Sequence, residues 1–287
     1  MERYLIIDHL KSEYPVTRIC DVLDVNRSSY YKWIGQDRPP MNNYNDVTAT
    51  LISVEHNKLK GIYGTLRLKH HIESLYGLIL NHKLIRRYKG YLGLKTNVRK
   101  RRSLGQIRAK ERNLANKVPN ILNCNFNAAK PLEKLSSDVS YIQCSDGTLY
   151  LSAIKDIFNT EIISCSTSNK NDMELVLESC RTLPKSLEVG ALIHTDQGSL
   201  YRTEAYQTIL SEKGYERSMS RRGCCWENSP IENWFSQLKE ECIRPNSPMT
   251  RKEASELIKK YVQWYNTERI QKDLGYLSPI QFKHLFI

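Results

Sequence analysis

Up to about residue 94 the apolar positions recur at helical spacing, and from Lys134 onward they alternate as strands do. Residues 15–34 predict two short helices around a turn. Pro15 suits a first helical turn, Ile19, Val22 and Leu23 form a stripe, Asp24-Val25-Asn26 breaks it, and Ser28 is placed to cap the next helix. That is the outline of a helix-turn-helix, and Arg38-Pro39-Pro40 closes it. Further helices are predicted over 46–59, 64–74 and 81–93. In the last, Leu84, Ile85, Tyr88, Tyr91 and Leu92 share one face, Arg86, Arg87 and Lys89 occupy the others, and Gly93 stands where a helix stops.

Past Lys134 three strands, 134–143, 148–157 and 161–168, are separated by Ser-Asp-Gly and Phe-Asn-Thr and read as an antiparallel meander. A helix through Leu175, Val176 and Ser179 follows, then a short buried strand at 191–196, a helix ended by Gly214, a last strand at 217–220, and a loop into a helix that carries Glu232. The order βββαβα, with one more strand and helix, predicts an α+β fold: a mixed sheet with helices on its faces, preceded by a helical, helix-turn-helix-type region.

Composition is that of a globular chain, 40% apolar and 26% charged over 287 residues, and excludes a fibre or a disordered tail. No apolar run reaches the ~18 residues a membrane span needs, and the amino terminus does not read as a secretory signal; the expected place is the cytoplasm, on the nucleoid. Charge changes the picture. Residues 1–130 hold 24 Lys and Arg against 10 Asp and Glu, residues 51–130 alone hold 18 against 3, and residues 131–287 hold 19 against 21. One part of the chain is therefore built for a polyanion and the rest is a near-neutral fold, and nucleic acid is the polyanion that a helical, aromatic-interleaved basic region fits. Residues 95–112, basic without an apolar stripe, read as an arm ordered by DNA. The expected organisation is a helix-turn-helix-like segment (1–40), a basic helical DNA-binding region (41–94), a basic linker (95–130), a catalytic core (131–248) and a helical carboxyl-terminal extension (249–287).

Three carboxylates stand out. Asp138 lies inside a strand, where Asp is depleted; Asp196 closes one, facing the crevice where α/β sheets hold ligands; Glu232 begins a helix. Each has an ordinary alternative: an exposed strand face, an Asp opening a turn before Gln197-Gly198, and a capping box Ser229-Pro230-Ile231-Glu232. Together they are hard oxygen donors, the set taken by Mg²⁺ or Mn²⁺, and two such ions serve phosphodiester displacement. The cysteines form no C-x-x-C pair and the histidines are scattered, so no zinc site is inferred.

The segments DVSYIQ, HTDQGSLY, SMSRRGCCWENSPIENWFSQLKEE and YNTERIQKDLGYLSPIQF closely resemble the integrase core of the OrfB-type transposases of bacterial insertion sequences, of the retroviral-integrase, ribonuclease H-like superfamily. CDVLDVNRSSYYKWI, GIYGTLRL and NHKLIRRYKGYLGLK resemble the same family's helical amino-terminal region, so the likeness covers nearly the whole chain. It implies a ribonuclease H-like fold, the DDE triad on Asp138, Asp196 and Glu232 with 35 residues between the last two, and the family's basic residue on Lys239. A helix turns through about 700° in seven residues, so Lys239 faces the same way as Glu232 two turns on, suited to a phosphate. Arg221 and Arg222 are expected to clamp DNA, Arg86 and Arg87 to lie against phosphates, Arg269 to reach DNA and His194 to brace the site; Trp234, Phe235 and Leu238 are expected in the core. The implied activity is Mg²⁺-dependent hydrolysis at element ends followed by 3′-hydroxyl strand transfer, by a homo-oligomer on DNA with terminal repeats and target as substrates. An upstream-frame OrfA-type product is the implied partner. The competing reading is a non-catalytic DNA-binding regulator derived from such an enzyme; a third is a ribonuclease H-like nuclease that cleaves without joining.

Overall fold

The computed structural model describes residues 2–35, 46–97, 118–186, 190–221 and 224–286. Helices α1 (Glu2–Leu10), α2 (Val16–Val22) and α3 (Arg27–Gly35) pack around Ile7, Ile19, Cys20 and Tyr30. The α2–α3 turn is the predicted one, except that Asn26 rather than Ser28 caps α3: its side chain accepts from Ser28 N and Ser29 N at 2.9 and 3.3 Å. Helix α1, unanticipated because its apolar residues show almost no helical periodicity, supplies the buried Ile7.

Helices α4 (Asp46–Lys58), α5 (Thr65–Tyr76) and α6 (His82–Tyr91) form a second unit around Ile52, Leu68, Ile72, Ile85 and Tyr88. Asn81 caps α6 by accepting from Lys83 N at 2.9 Å. Arg86 and Arg87 are exposed as expected. Lys89 is not: it is buried and its ammonium donates to Thr96 Oγ1 at 2.6 Å, so it serves the packing of this unit.

The core is a sheet of β1 (Lys134–Cys144), β2 (Gly147–Asp156), β3 (Ile162–Ser168), β4 (Leu192–Thr195) and β5 (Glu216–Met219) in the order β3-β2-β1-β4-β5. The first three strands are antiparallel, and β4 and β5 add in parallel. Helices α7 (Met173–Arg181) and α8 (Glu204–Glu212) cover one face, over Leu135, Ile154, Ile193 and Met219. The other face is covered by α9 (Ser229–Leu238), which runs through a π-helical turn (Lys239–Ile243) into the short α10 (Arg244–Asn246), and by α11 (Arg251–Thr267); α12 (Pro279–Lys283) follows. Trp234, Phe235 and Leu238 of α9 pack with Ile142, Leu149, Leu151 and Ala153 of the sheet, as do Ala254, Ile258, Tyr261 and Tyr265 of α11. The fold is therefore the expected α+β, ribonuclease H-like mixed sheet.

Two expected boundaries shift. α11 belongs to the same hydrophobic cluster as α9, so residues after 248 complete the core and are not an appendage. The end of the expected linker is also core: Val118 and Leu122 are buried, and Ile121 N and Leu122 N donate to Ser218 Oγ at 3.0 Å. The remainder of the expected arm, residues 98–117, lies outside the described residues.

Candidate active site

Position follows from register. Ser136 pairs with His194 in the parallel ladder, and two residues further along both strands that register sets Asp138 beside Asp196, on one face of neighbouring strands ~4.8 Å apart. β4 ends at Thr195 while β1 continues to Cys144, so Asp196 stands just past the end of its strand. Asp196, exposed at this edge, turns the chain by accepting Gly198 N on Oδ1 at 2.8 Å. Asp138 is half-buried and accepts Val139 N at 2.7 Å.

Glu232 is delivered to the same face by a tether that sequence reasoning missed. Asn228, 1% exposed, accepts from Ser136 Oγ at 2.8 Å and donates to Ser137 O at 3.3 Å. Lys155 of β2 donates to Pro230 O at 3.1 Å. These bonds hold the start of α9 against β1 beside Asp138. They also displace the expected capping box: Asn228 is the N-cap, with its side chain committed to the strand, and Ser229 lies inside the helix. Nothing local marked Asn228 or Lys155, because their partners stand 91, 92 and 75 residues away.

Behind the carboxylates a row of buried polar residues, Lys155, Ser136, His194 and Ser218, crosses four strands in register. Ser218 Oγ accepts two backbone N–H groups, so its own proton goes to His194 Nδ1 at 2.8 Å; His194 Nε2–H then donates to Ser220 Oγ at 3.0 Å, and Ser220 to Thr195 O at 3.2 Å. Burial lowers the His194 pKa to about 4, so the ring is neutral and braces the strand that ends in Asp196.

The electrostatics are those of crowded carboxylates. Burial first, then the charges of Asp196 and Glu232, push the Asp138 carboxyl up to about 7 against the weaker pull of Lys239. Tyr201, fully buried, is held far above its ordinary acidity by burial and by the charges of Asp138 and Asp196. Asp138, Asp196 and Glu232 are hard oxygen donors of the kind a divalent cation takes. Among the described residues, however, no three His, Cys, Asp or Glu side chains are gathered closely enough to hold a metal ion; Asp138 is half-buried, and Asp196 and Glu232 are both exposed.

The expected DNA contacts fare differently. The Lys239 ammonium lies over the exposed ring of Tyr141, 5.2 Å from its centroid, near enough for Asp138 to feel its charge. Arg221 is committed to Glu227, itself 0% exposed, through Nε at 2.7 Å and Nη2 at 2.6 Å. Arg222 lies outside the described residues. Arg269 requires a correction: it is 2% exposed and forms a two-pronged pair with the buried Glu241 at 2.8 and 2.5 Å, while Tyr261 donates to the same carboxylate at 2.7 Å. A guanidinium so enclosed holds α11 to the π-turn and is closed to a phosphate.

Comparison with known proteins agrees with this architecture. Two models described as "Integrase core domain" match residues 128–225 and 232–285. InsK of insertion sequence element IS150 from Escherichia coli (strain K12) is 32% identical over 97% of this chain and 97% of its own length. The transposase for insertion sequence element IS904 of Lactococcus lactis is 31% identical over 83% of this chain and 94% of its own. The HTLV-2 integrase catalytic core domain in complex with magnesium superposes with a TM-score of 0.40 at 17% identity, covering 55% of this chain and 100% of that one. The chain belongs to the family of insertion-sequence transposases built on an integrase core.

Proposed function

We propose that this chain is the catalytic protein of its insertion sequence, a polynucleotidyl transferase that hydrolyses a phosphodiester at an element end and then joins the exposed 3′-hydroxyl to another phosphodiester. The observation that supports this best is the β1–β4 register, whose continuation by two residues brings Asp138 toward Asp196, with the helix of Glu232 tethered to β1 through Asn228. Asp138, Asp196 and Glu232 would hold Mg²⁺ or Mn²⁺, as two ions, which would supply activation of the attacking oxygen and stabilisation of the leaving one. Lys239 orients a phosphate of the DNA end along α9, and His194, through the Ser218–Ser220 chain, keeps β4 and thus Asp196 in place. No side-chain nucleophile is required, since water and the 3′-hydroxyl are the attacking groups.

The substrates are the element's terminal repeats and target DNA, met by a homo-oligomer, with an OrfA-type upstream-frame product as partner. Among the described residues no helix is long and apolar enough to cross a membrane, and the nucleoid in the cytoplasm is the proposed place of action. The test is an assay of nicking and strand transfer on DNA carrying the element's ends. Activity that requires Mg²⁺ or Mn²⁺ and disappears in Asp196→Asn is the expected result. Metal-independent binding without cleavage would assign a regulator, and cleavage without joining a nuclease.

A further inference from the structure

Trp226 is the largest apolar side chain left open beside the candidate site. It is 51% exposed, its backbone carbonyl accepts from Ser229 N, and among the described residues no ring contact or side-chain hydrogen bond engages the indole. Its position is not that of a loose loop. It sits in a 3₁₀ turn, Cys225–Asn228, whose next two residues, Glu227 and Asn228, are 0% and 1% exposed. Glu227 takes the Arg221 backbone and guanidinium hydrogens, and Asn228 bridges Ser136 and Ser137. Turning the indole inward would unseat a buried carboxylate and a buried amide, each costly to leave unpaired. The turn thus holds a flat apolar surface in solvent, immediately before the helix of Glu232 and against the strand residues that precede Asp138.

Resting on the transposase reading, we propose that Trp226 is a stacking platform for an unpaired base of the DNA strand held at the candidate active site. Three features select a nucleotide over another apolar partner. The platform is one indole whose turn neighbours Glu227 and Asn228 are buried polar residues, and not a broad apolar patch. Arg221, although paired with Glu227, keeps its side chain 59% exposed and so leaves guanidinium hydrogens open to a phosphate. Position supplies the third, since the adjoining carboxylates are those proposed to act on a phosphodiester. Stacking needs the face of a base, which an intact duplex conceals and a frayed end or an extruded nucleotide offers. Trp226 would fix the terminal nucleotide while the chemistry proceeds next to it, and because every base has a face it would do so with little sequence preference.

The experiment measures binding of a fluorescent single-stranded oligothymidylate, in EDTA so that no chemistry intervenes, and at 0.3 M salt, chosen to suppress purely electrostatic binding. A blunt duplex is measured in parallel at about 0.05 M salt, where electrostatic binding is retained, for the intact full chain, Trp226→Ala and Trp226→Tyr. Trp226→Ala is expected to weaken the single strand by about 5- to 150-fold, the range base–aromatic stacking supplies, with Trp226→Tyr close to the parent, duplex binding unchanged and the melting temperature unaltered. Equal single-strand affinity in all three proteins overturns the platform while leaving the transposase reading intact. Unchanged affinity with an altered oligomeric state overturns it in favour of a contact between copies. A parent chain that binds neither DNA overturns both readings.

Discussion

His194 and Asp138 lie on one face of the sheet and respond to acid in opposite directions. His194 has its pKa lowered from 6.5 to about 4, so between those values the unfolded chain binds the extra proton and stability falls as pH drops through that window. Asp138 is raised from 3.8 to about 7; there the folded chain binds the extra proton, and stability falls as pH rises through its window. Chemical denaturation at pH 5 and pH 7.5 separates them. Asp138→Asn is expected to be more stable than the parent at pH 7.5, by a few degrees in Tm at roughly 2–4 °C per kcal/mol for a domain of this size. His194→Gln is expected to flatten the loss on acidification. Arg269→Ala, which leaves Glu241 buried without its cation, is expected to cost about 3–5 kcal/mol of stability, read from the same curves, whereas a DNA contact would change affinity and leave stability alone. The types of these residues were visible in the sequence. Their burial, which decides whether a charge is an instrument or a strut, was not.

At the scale of elements, α9 concentrates the difference between local and distant information. Its apolar stripe follows from helical periodicity, and the buried Trp234, Phe235 and Leu238 sit where that periodicity places them. Its attachment does not: Asn228 could be read only as one more polar loop residue until β1 lay beneath it. Asn228→Ala removes both bonds and leaves Ser136 Oγ and Ser137 O without their Asn228 partner. The expected result is a loss of about 1–3 kcal/mol, measured by denaturation, and a fall in strand transfer with DNA affinity retained, because the α9 anchor beside Asp138 is loosened while the basic helices are untouched. Retention of full activity would remove Asn228 from the assembly of the site.

Over the whole molecule, charge and contact divide the helical region. Residues 2–35 carry five basic and five acidic side chains, whereas 46–97 carry nine against three, so among the described helices the excess positive charge belongs to the α4–α6 unit and not to the helix-turn-helix outline that precedes it. That basic unit is seated on the carboxyl-terminal part of the core. The Tyr63 hydroxyl accepts Ile270 N at 3.0 Å, Trp264 and Ile270 pack against its apolar cluster, and His70 stacks on Tyr276 at 3.7 Å. Arg86 and Arg87 project outward from it. Replacing both by Ala should weaken duplex binding across sequences and lower the slope of log affinity against log salt by roughly 2, since each phosphate contact contributes about 0.9; a titration between low and moderate salt reads it directly.

From the sequence alone came the order of elements between residue 15 and the helix of Glu232, the division between a basic helical part and a near-neutral sheet, and the three carboxylates as candidates, because periodicity, charge and residue type are local properties. Tertiary structure alone decided that the β1–β4 register sets Asp138 beside Asp196, that Asn228 and Lys155 hold α9 in place, that Arg269 is interior and that Trp226 is displayed. Those outcomes depend on which distant segment covers a side chain, and burial and partnership arise only when strands and helices far apart in the chain come into contact.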